Sequence, residues 1–305
     1  MSLKVKNMTS FGETVGNENE QIDIDSLWKV QKEDKTIREI VPLTDVFLQY
    51  VFKDNKHDET FVVMLNIFLE FLSVEFNEID FPKLSTNMQL ETQWEYLTGK
   101  KEGRRQDFVA KDENQSVDYY VEVQRKTNTP TPIEFRSQEY FAFGILQSKN
   151  VKNLHQIWLL ETGYDRLLKG NIAECYVLKG LKTNQVLPGG STVSFIDLSK
   201  LQNTKGVQGE LAKVLLNKLY VPANKKIVEI RNVLLKEMKQ FKNDKEAINV
   251  LTEYDKAQEE GIAEGEARTL EIQEKAENGL SDIELSKEYG IPLEKIQKIT
   301  RFVRN

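Results

Sequence analysis

A chain of 305 residues, 39% hydrophobic and 30% charged, is long enough to bury a core under a heavily charged surface. Its net charge of −6 argues against blanket attraction to nucleic acid or an anionic membrane, so any such contact needs a local basic patch. The single cysteine, Cys175, rules out a disulfide or zinc cluster within the chain, and two histidines, His57 and His155, leave too few partners for His-based catalysis.

Residues 1–38 are polar, with scattered Gly and Asn, and read as a partly disordered extension that is not central to the fold. They lack the apolar centre of a signal peptide. "PLTDVFLQYVF" (42–52) then has a capping start at Thr44 or Asp45, with Val46, Phe47, Tyr50 and Val51 at helical spacing. A second helix, "DETFVVMLNIFLEFLSV", is apolar enough to require burial. Its longest apolar run, 61–72, is too short to span a bilayer, and a cytoplasmic protein with no membrane partner is expected. His57, just before it, reads as a surface-loop residue.

From about residue 86 the period changes to two. "NMQLETQWEYL", "RRQDFVAK" and "DYYVEVQRK" are candidate strands, and "TNTPTP" interrupts the pattern because proline cannot donate to a ladder. A helix, "PIEFRSQEYFAFGILQSK", follows with Pro132 in its first turn. "HQIWLLET", "AECYVLKG" and "STVSFIDLSK" supply further strands, and Cys175 in the second of these reads as a buried small hydrophobe. The order predicts a mixed α/β core over 39–205.

After Gly206 the pattern is helical to the end, over 206–305. A charge-rich stretch holds Gly261 and Gly265, each costing about 1 kcal/mol relative to Ala, and is expected to be solvated and to bend or fray. The last segment forms a helix-turn-helix-like hairpin, with a capping box at Ser281 and Glu284, a stop at Gly290 and a start at Pro292. Glu284, Glu288 and Glu294 alternate with Lys287, Lys295 and Lys298 on it, which suits partner binding or oligomerisation at least as well as DNA reading.

The segment 104–126, "RRQDFVAKDENQSVDYYVEVQRK", holds the chemistry. In a strand, alternate side chains share a face, so Val117, Tyr119, Val121 and Val123 point one way and Asp118, Tyr120, Glu122 and Gln124 the other. A hairpin centred between Asn114 and Gln115 puts Asp107 opposite Glu122; one centred a residue earlier puts it opposite Tyr120. Both registers place Asp107, Glu122 and Gln124 on one face, with cross-strand Cβ atoms about 5 Å apart or about 7–8 Å on the diagonal. Two carboxylates that close repel unless a cation lies between them. Mg²⁺ suits them, with the Val123 carbonyl as a further ligand and Gln124 orienting a water, which is phosphodiester-hydrolysis chemistry. The plainer alternative is a solvated hairpin face neutralised by Arg104, Arg105 and Arg125.

Taken in order, "TDVFLQYVF", "VVMLNIFLEFL", "QDFVA", "VEVQ", "FRSQEYF", "SFIDLSKL" and the tail with "EGIAEGEA" resemble the PD-(D/E)XK nuclease superfamily. The match is closest to its recombination-promoting nuclease/transposase family and covers about residues 40–300. The resemblance implies a restriction-endonuclease-like core with a helical C-terminal extension. It also implies Mg²⁺-dependent DNA cleavage, with Mn²⁺ as a substitute, linked to recombination or transposition. Asp107 and Glu122 would be the metal carboxylates, and Gln124 stands where many superfamily members have lysine. Asp45, Glu91 and Lys126 are candidate additions, though Asp45 also suits a helix cap, Glu91 a solvated edge, and Lys126 lies a step too far along. Lys100, Lys101, Arg104 and Arg105 form the best basic patch for DNA. Arg136 and Tyr140, i and i+4 on a helix, form either a phosphate clamp or a structural pair. A catalytically silent module that binds DNA or a recombination partner, and a protein that oligomerises through its C-terminal helices, are the competing functions.

Overall fold

A computed structural model describes residues 23–32, 37–93, 106–125, 132–147, 153–183, 185–186, 191–301 and 303–304. Lys100, Lys101, Arg104, Arg105 and Lys126 lie outside the described residues, so the basic patch has no described placement. A one-turn helix α1 (Ile24–Leu27) and a ribbon of β1 (Lys29–Gln31) and β2 (Ile37–Glu39) precede helices α2 (Asp45–Phe52) and α3 (Asp58–Glu75). Strands β3 (Gln89–Thr92), β4 (Phe108–Asp112) and β5 (Val117–Gln124) follow, then helix α4 (Ile133–Gln147) and strand β6 (Asn153–Leu160). Next come α5 (Asp165–Leu168), β7 (Ala173–Val177) and β8 (Thr192–Asp197). The chain continues through α6 (Leu198–Leu201), α7 (Val207–Leu216), α8 (Lys225–Phe241), α9 (Lys245–Glu277), α10 (Asp282–Tyr289) and α11 (Leu293–Thr300).

The sheet has six strands in the order β3-β4-β5-β6-β8-β7. β5, β6 and β8 run parallel at its centre; the remaining pairings are antiparallel. Helices cover both faces. On one, Phe108, Ala110, Tyr119, Val121, Ile157 and Ile196 join the apolar sides of α2, α3, α7 and α8 in the main core. On the other, α4 and α5 cover Val109 and Tyr120 and, beside them, Trp158 and Phe195. Strand β5 is therefore buried on both faces over residues 117–123, not amphipathic as its alternation suggests. That placement decides the environment of its acids.

The β4–β5 register is set by its turn. The Asp112 carboxylate accepts from the Asn114 and Gln115 amides at 3.1 and 3.3 Å, and also from the Ser85 amide at 2.7 Å. An Asp side chain that bonds the backbone two residues on builds a tight turn, and Ser116 takes the left-handed conformation (φ 52°) that closes it. Phe108 then pairs with Val121 and Lys111 with Asp118, the first of the two registers considered above.

Three expectations are corrected. The extension does not run to residue 38: Trp28 and Val30 are 1% and 0% exposed, and Trp28 stands edge-on to Phe47 at 5.3 Å. Aromatic burial of that size outweighs the polar composition around it. Nor is the helical region after residue 206 separate, because Leu211, Leu215, Ile230, Leu234 and Phe241 belong to the main core. Thirdly, α9 is continuous through Gly261 and Gly265. Its far end forms a small satellite core with the terminal hairpin, from Ile272, Ala276, Leu285 and Ile296. The hairpin has the expected Ser281–Glu284 capping box and a left-handed Gly290. Among the described residues, no helix is long and apolar enough to cross a membrane.

Candidate active site

Asp107 directly precedes β4, and extending the ladder by one residue sets it opposite Glu122 on β5. Both are buried, at 8% and 3% exposure. The Asp107 amide donates to Glu122 Oε1 at 3.3 Å, and the Val123 amide donates to Asp107 Oδ2 at 2.8 Å. Here the ladder gives way to side chains: Asp107 takes the hydrogen bond that a continuing β4 would have taken. The Gln124 carbonyl accepts from the Glu161 amide just past the end of β6 at 2.9 Å, so alternation turns the Val123 carbonyl toward the β4 side, beside the acid pair.

Helix α2 contributes Gln49, 2% exposed, whose Nε2 donates to Asp107 Oδ1 at 3.0 Å and to Gln93 Oε1 at 3.3 Å. Its own Oε1 is buried with no partner among the described residues. Asp45 heads the same helix and accepts a 2.6 Å hydrogen bond at Oδ2 from Tyr254 of α9. Thr44 is the N-cap, so the capping alternative for Asp45 is not what the helix uses. From α4, Arg136 donates to Gln124 Oε1 at 2.7 Å. Its guanidinium lies 5.3 Å from the Trp158 ring centre and 5.7 Å from that of Tyr140. Aromatic faces attract a cation at such distances, so the guanidinium is held in place beside the acids.

The electrostatics follow from burial. Asp107 is pushed up to about 7, first by loss of water and then by the charge of Asp45; the Val123 amide, Arg136 and Gln49 oppose this. Glu122 is raised well above the usual carboxylate range, first by burial and then by the charge of Asp107, with Arg136 opposing. The two carboxyls cannot both ionise cheaply here without added positive charge.

Does this donor set fit a divalent cation? Two adjacent buried carboxyls, a nearby main-chain carbonyl and the unpartnered Gln49 oxygen make a site rich in acceptors, and Mg²⁺ takes one or two carboxylates with waters making up the remainder. The residues fit. No group of three or more His, Cys, Asp or Glu among the described residues is close enough to hold one ion together. Asp45 is thus a neighbour of the pair and not a third direct ligand.

Other candidates fall elsewhere. Glu91 pairs with Lys111 at 2.8 Å on the outer strand, with both side chains partly exposed, and is not part of the acid group. His57 is not a free loop residue: its Nε2 lies 3.0 Å from Glu237 Oε1, and its side chain is largely covered. His155 is buried between Phe81 and Tyr119, and burial pushes it down to about 4. Cys175 is half-buried and accepts from the Ser194 hydroxyl at 3.3 Å.

Sequence reasoning missed Gln49 and Tyr254. Gln49 had a signal, a polar residue inside a helix whose positions 46–52 are all buried. Tyr254 had none, since it stands in a charge-rich stretch 209 residues from its partner. Comparison with protein-family models, with curated proteins and with solved structures gives no match.

Proposed function

We propose that the chain is a divalent-cation-dependent endonuclease with a restriction-endonuclease-like core, hydrolysing DNA phosphodiesters in recombination or transposition. What carries the reading is the Asp107–Glu122 pair, buried side by side where β4 hands its hydrogen bonds over to side chains. Asp107, Glu122 and the Val123 carbonyl would hold Mg²⁺ or Mn²⁺. When bound, the ion neutralises the two acids, makes water more acidic and polarises a phosphoryl oxygen.

The remaining steps belong to the chain. Arg136 can only donate, so its bond fixes Gln124 Oε1 as the acceptor end and holds the Gln124 side chain in one orientation beside the acids. The Arg136 guanidinium, steadied by Trp158 and Tyr140, supplies positive charge where negative charge grows on the phosphoryl group. Gln49 and the Val123 amide keep Asp107 in one orientation, so the pair is preorganised.

One observation favours the silent, DNA-binding alternative: the position that carries lysine in many superfamily members is a neutral glutamine already bonded to Arg136. Supercoiled-plasmid cleavage by purified protein separates the two. Nicking or linearisation with Mg²⁺, lost with EDTA and in Glu122→Ala, supports the enzyme. Folded wild type that binds DNA in a salt-dependent way yet never cuts it identifies the silent module.

A further inference from the structure

We infer that Tyr254 is a positioning residue of the acid site: its hydroxyl holds the Asp45 carboxylate beside Asp107 and Glu122, which makes helix α9 a working part of the site. This rests on the cation-dependent reading above.

The geometry gives the reason. Asp45 is the first residue of α2, where a carboxylate is favoured by the helix N-terminus but does not need a phenol to hold it. Tyr254 nevertheless donates to Asp45 Oδ2 at 2.6 Å, across a contact between the first and last thirds of the chain. The next residue on α9, Asp255, pairs with Arg38 and, at 3.5 Å, with Lys32, which anchors the helix against the N-terminal ribbon. Asp45 and Gln49 are i and i+4 on α2 and so share a helix face, and Gln49 bonds Asp107, so the tyrosine fixes an acid on the side of α2 that meets the buried pair. No three acids are close enough to share one ion among the described residues, so Asp45 would act on the ion from outside its direct ligands. Partners that orient groups around a metal typically change affinity by about 10–100-fold when removed.

Mn²⁺ binding, followed by electron paramagnetic resonance or calorimetry, tests this without any turnover. Wild type, Glu122→Ala, Tyr254→Phe, Asp45→Asn and the Tyr254→Phe/Asp45→Asn double variant are compared, with thermal melts beside them. Glu122→Ala should lose the ion. Tyr254→Phe, which keeps the ring, should bind about tenfold more weakly. The double variant should bind no worse than Asp45→Asn alone, because Tyr254 acts only through Asp45. Wild-type affinity in Tyr254→Phe, or additive losses in the double variant, would overturn the inference while leaving the Glu122 result, and so the cation reading, intact. Failure of wild type to bind Mn²⁺ would instead remove the cation reading and the inference together.

Discussion

Asp107 and Glu122 give the protein a pH dependence whose sign can be worked out. Asp107 titrates near 7 in the folded chain and at about 3.9 when unfolded. Between those values the folded state holds more protons, so stability is fullest below the unfolded value and falls as pH rises through the folded one. The buried acids therefore contribute a loss of thermal stability from pH 5 to pH 8, opposed below about pH 6.5 by His155, which burial keeps neutral in the folded chain. Asp107→Asn should flatten that slope, and Mg²⁺ should raise the melting temperature more at pH 8 than at pH 5. A melt series with and without EDTA checks both; an Asp107→Asn variant with the same pH slope as wild type would contradict the burial of the pair. The two acids were legible in the sequence because either hairpin register kept them on one face. Their burial was not. Alternating polar and apolar residues look the same whether the polar side meets water or a covering helix, and only the position of α4 distinguishes the two.

That position depends on a close approach at one glycine. A Cβ on Gly144 of α4 would press into the Tyr120 ring and lie 2.9 Å from Leu154 Cδ2. In an exposed helix, Gly→Ala gains about 1 kcal/mol. Here overpacking costs about 1–3 kcal/mol, so the clash should win and Gly144→Ala should be net destabilising. Chemical denaturation measures it, and a stabilised variant would mean that α4 packs less tightly than described. Because α4 also carries Arg136, the same variant should impair any activity beyond its effect on stability. Most elements were readable from periodicity: α3, β5 and α4 fall within a few residues of the expected spans. The short pieces α1, β1, β2 and α5 were not, since three or four residues show no period and are held by packing of residues such as Trp28 and Leu168.

Across the whole molecule, the core does not respect the boundaries that composition suggested. Leu211, Leu215, Ile230, Leu234 and Phe241 are each buried against the helices that precede the sheet. Five such side chains contribute about 8–15 kcal/mol of burial, as large as the entire net stability of a typical domain. A fragment of residues 39–205 should thus fail to fold, as a flat thermal melt and poor amide dispersion in NMR would show. Deletion of residues 279–305 should do little, because the terminal hairpin packs in its own satellite core with Ile272 and Ala276. Loss of Mn²⁺ binding in that deletion would show that the hairpin reaches the site.

The edge-on contacts of Phe47 with Trp28 at 5.3 Å, and of Phe47 and Tyr50 with Phe241 at 5.6 and 5.0 Å, have a consequence for biosynthesis. Made from its N-terminus, the chain completes α2 and the sheet long before α8 exists to cover them. Until residue 241 has been added, the side of Phe47 and Tyr50 that meets Phe241 lacks its partner, and such surfaces recruit chaperones or aggregate. Truncated translation products that stop short of α8 should be retained by a holdase chaperone, and products that include α8 released from it. The protein would then spend much of its synthesis as a chaperone client, for want of a single late helix.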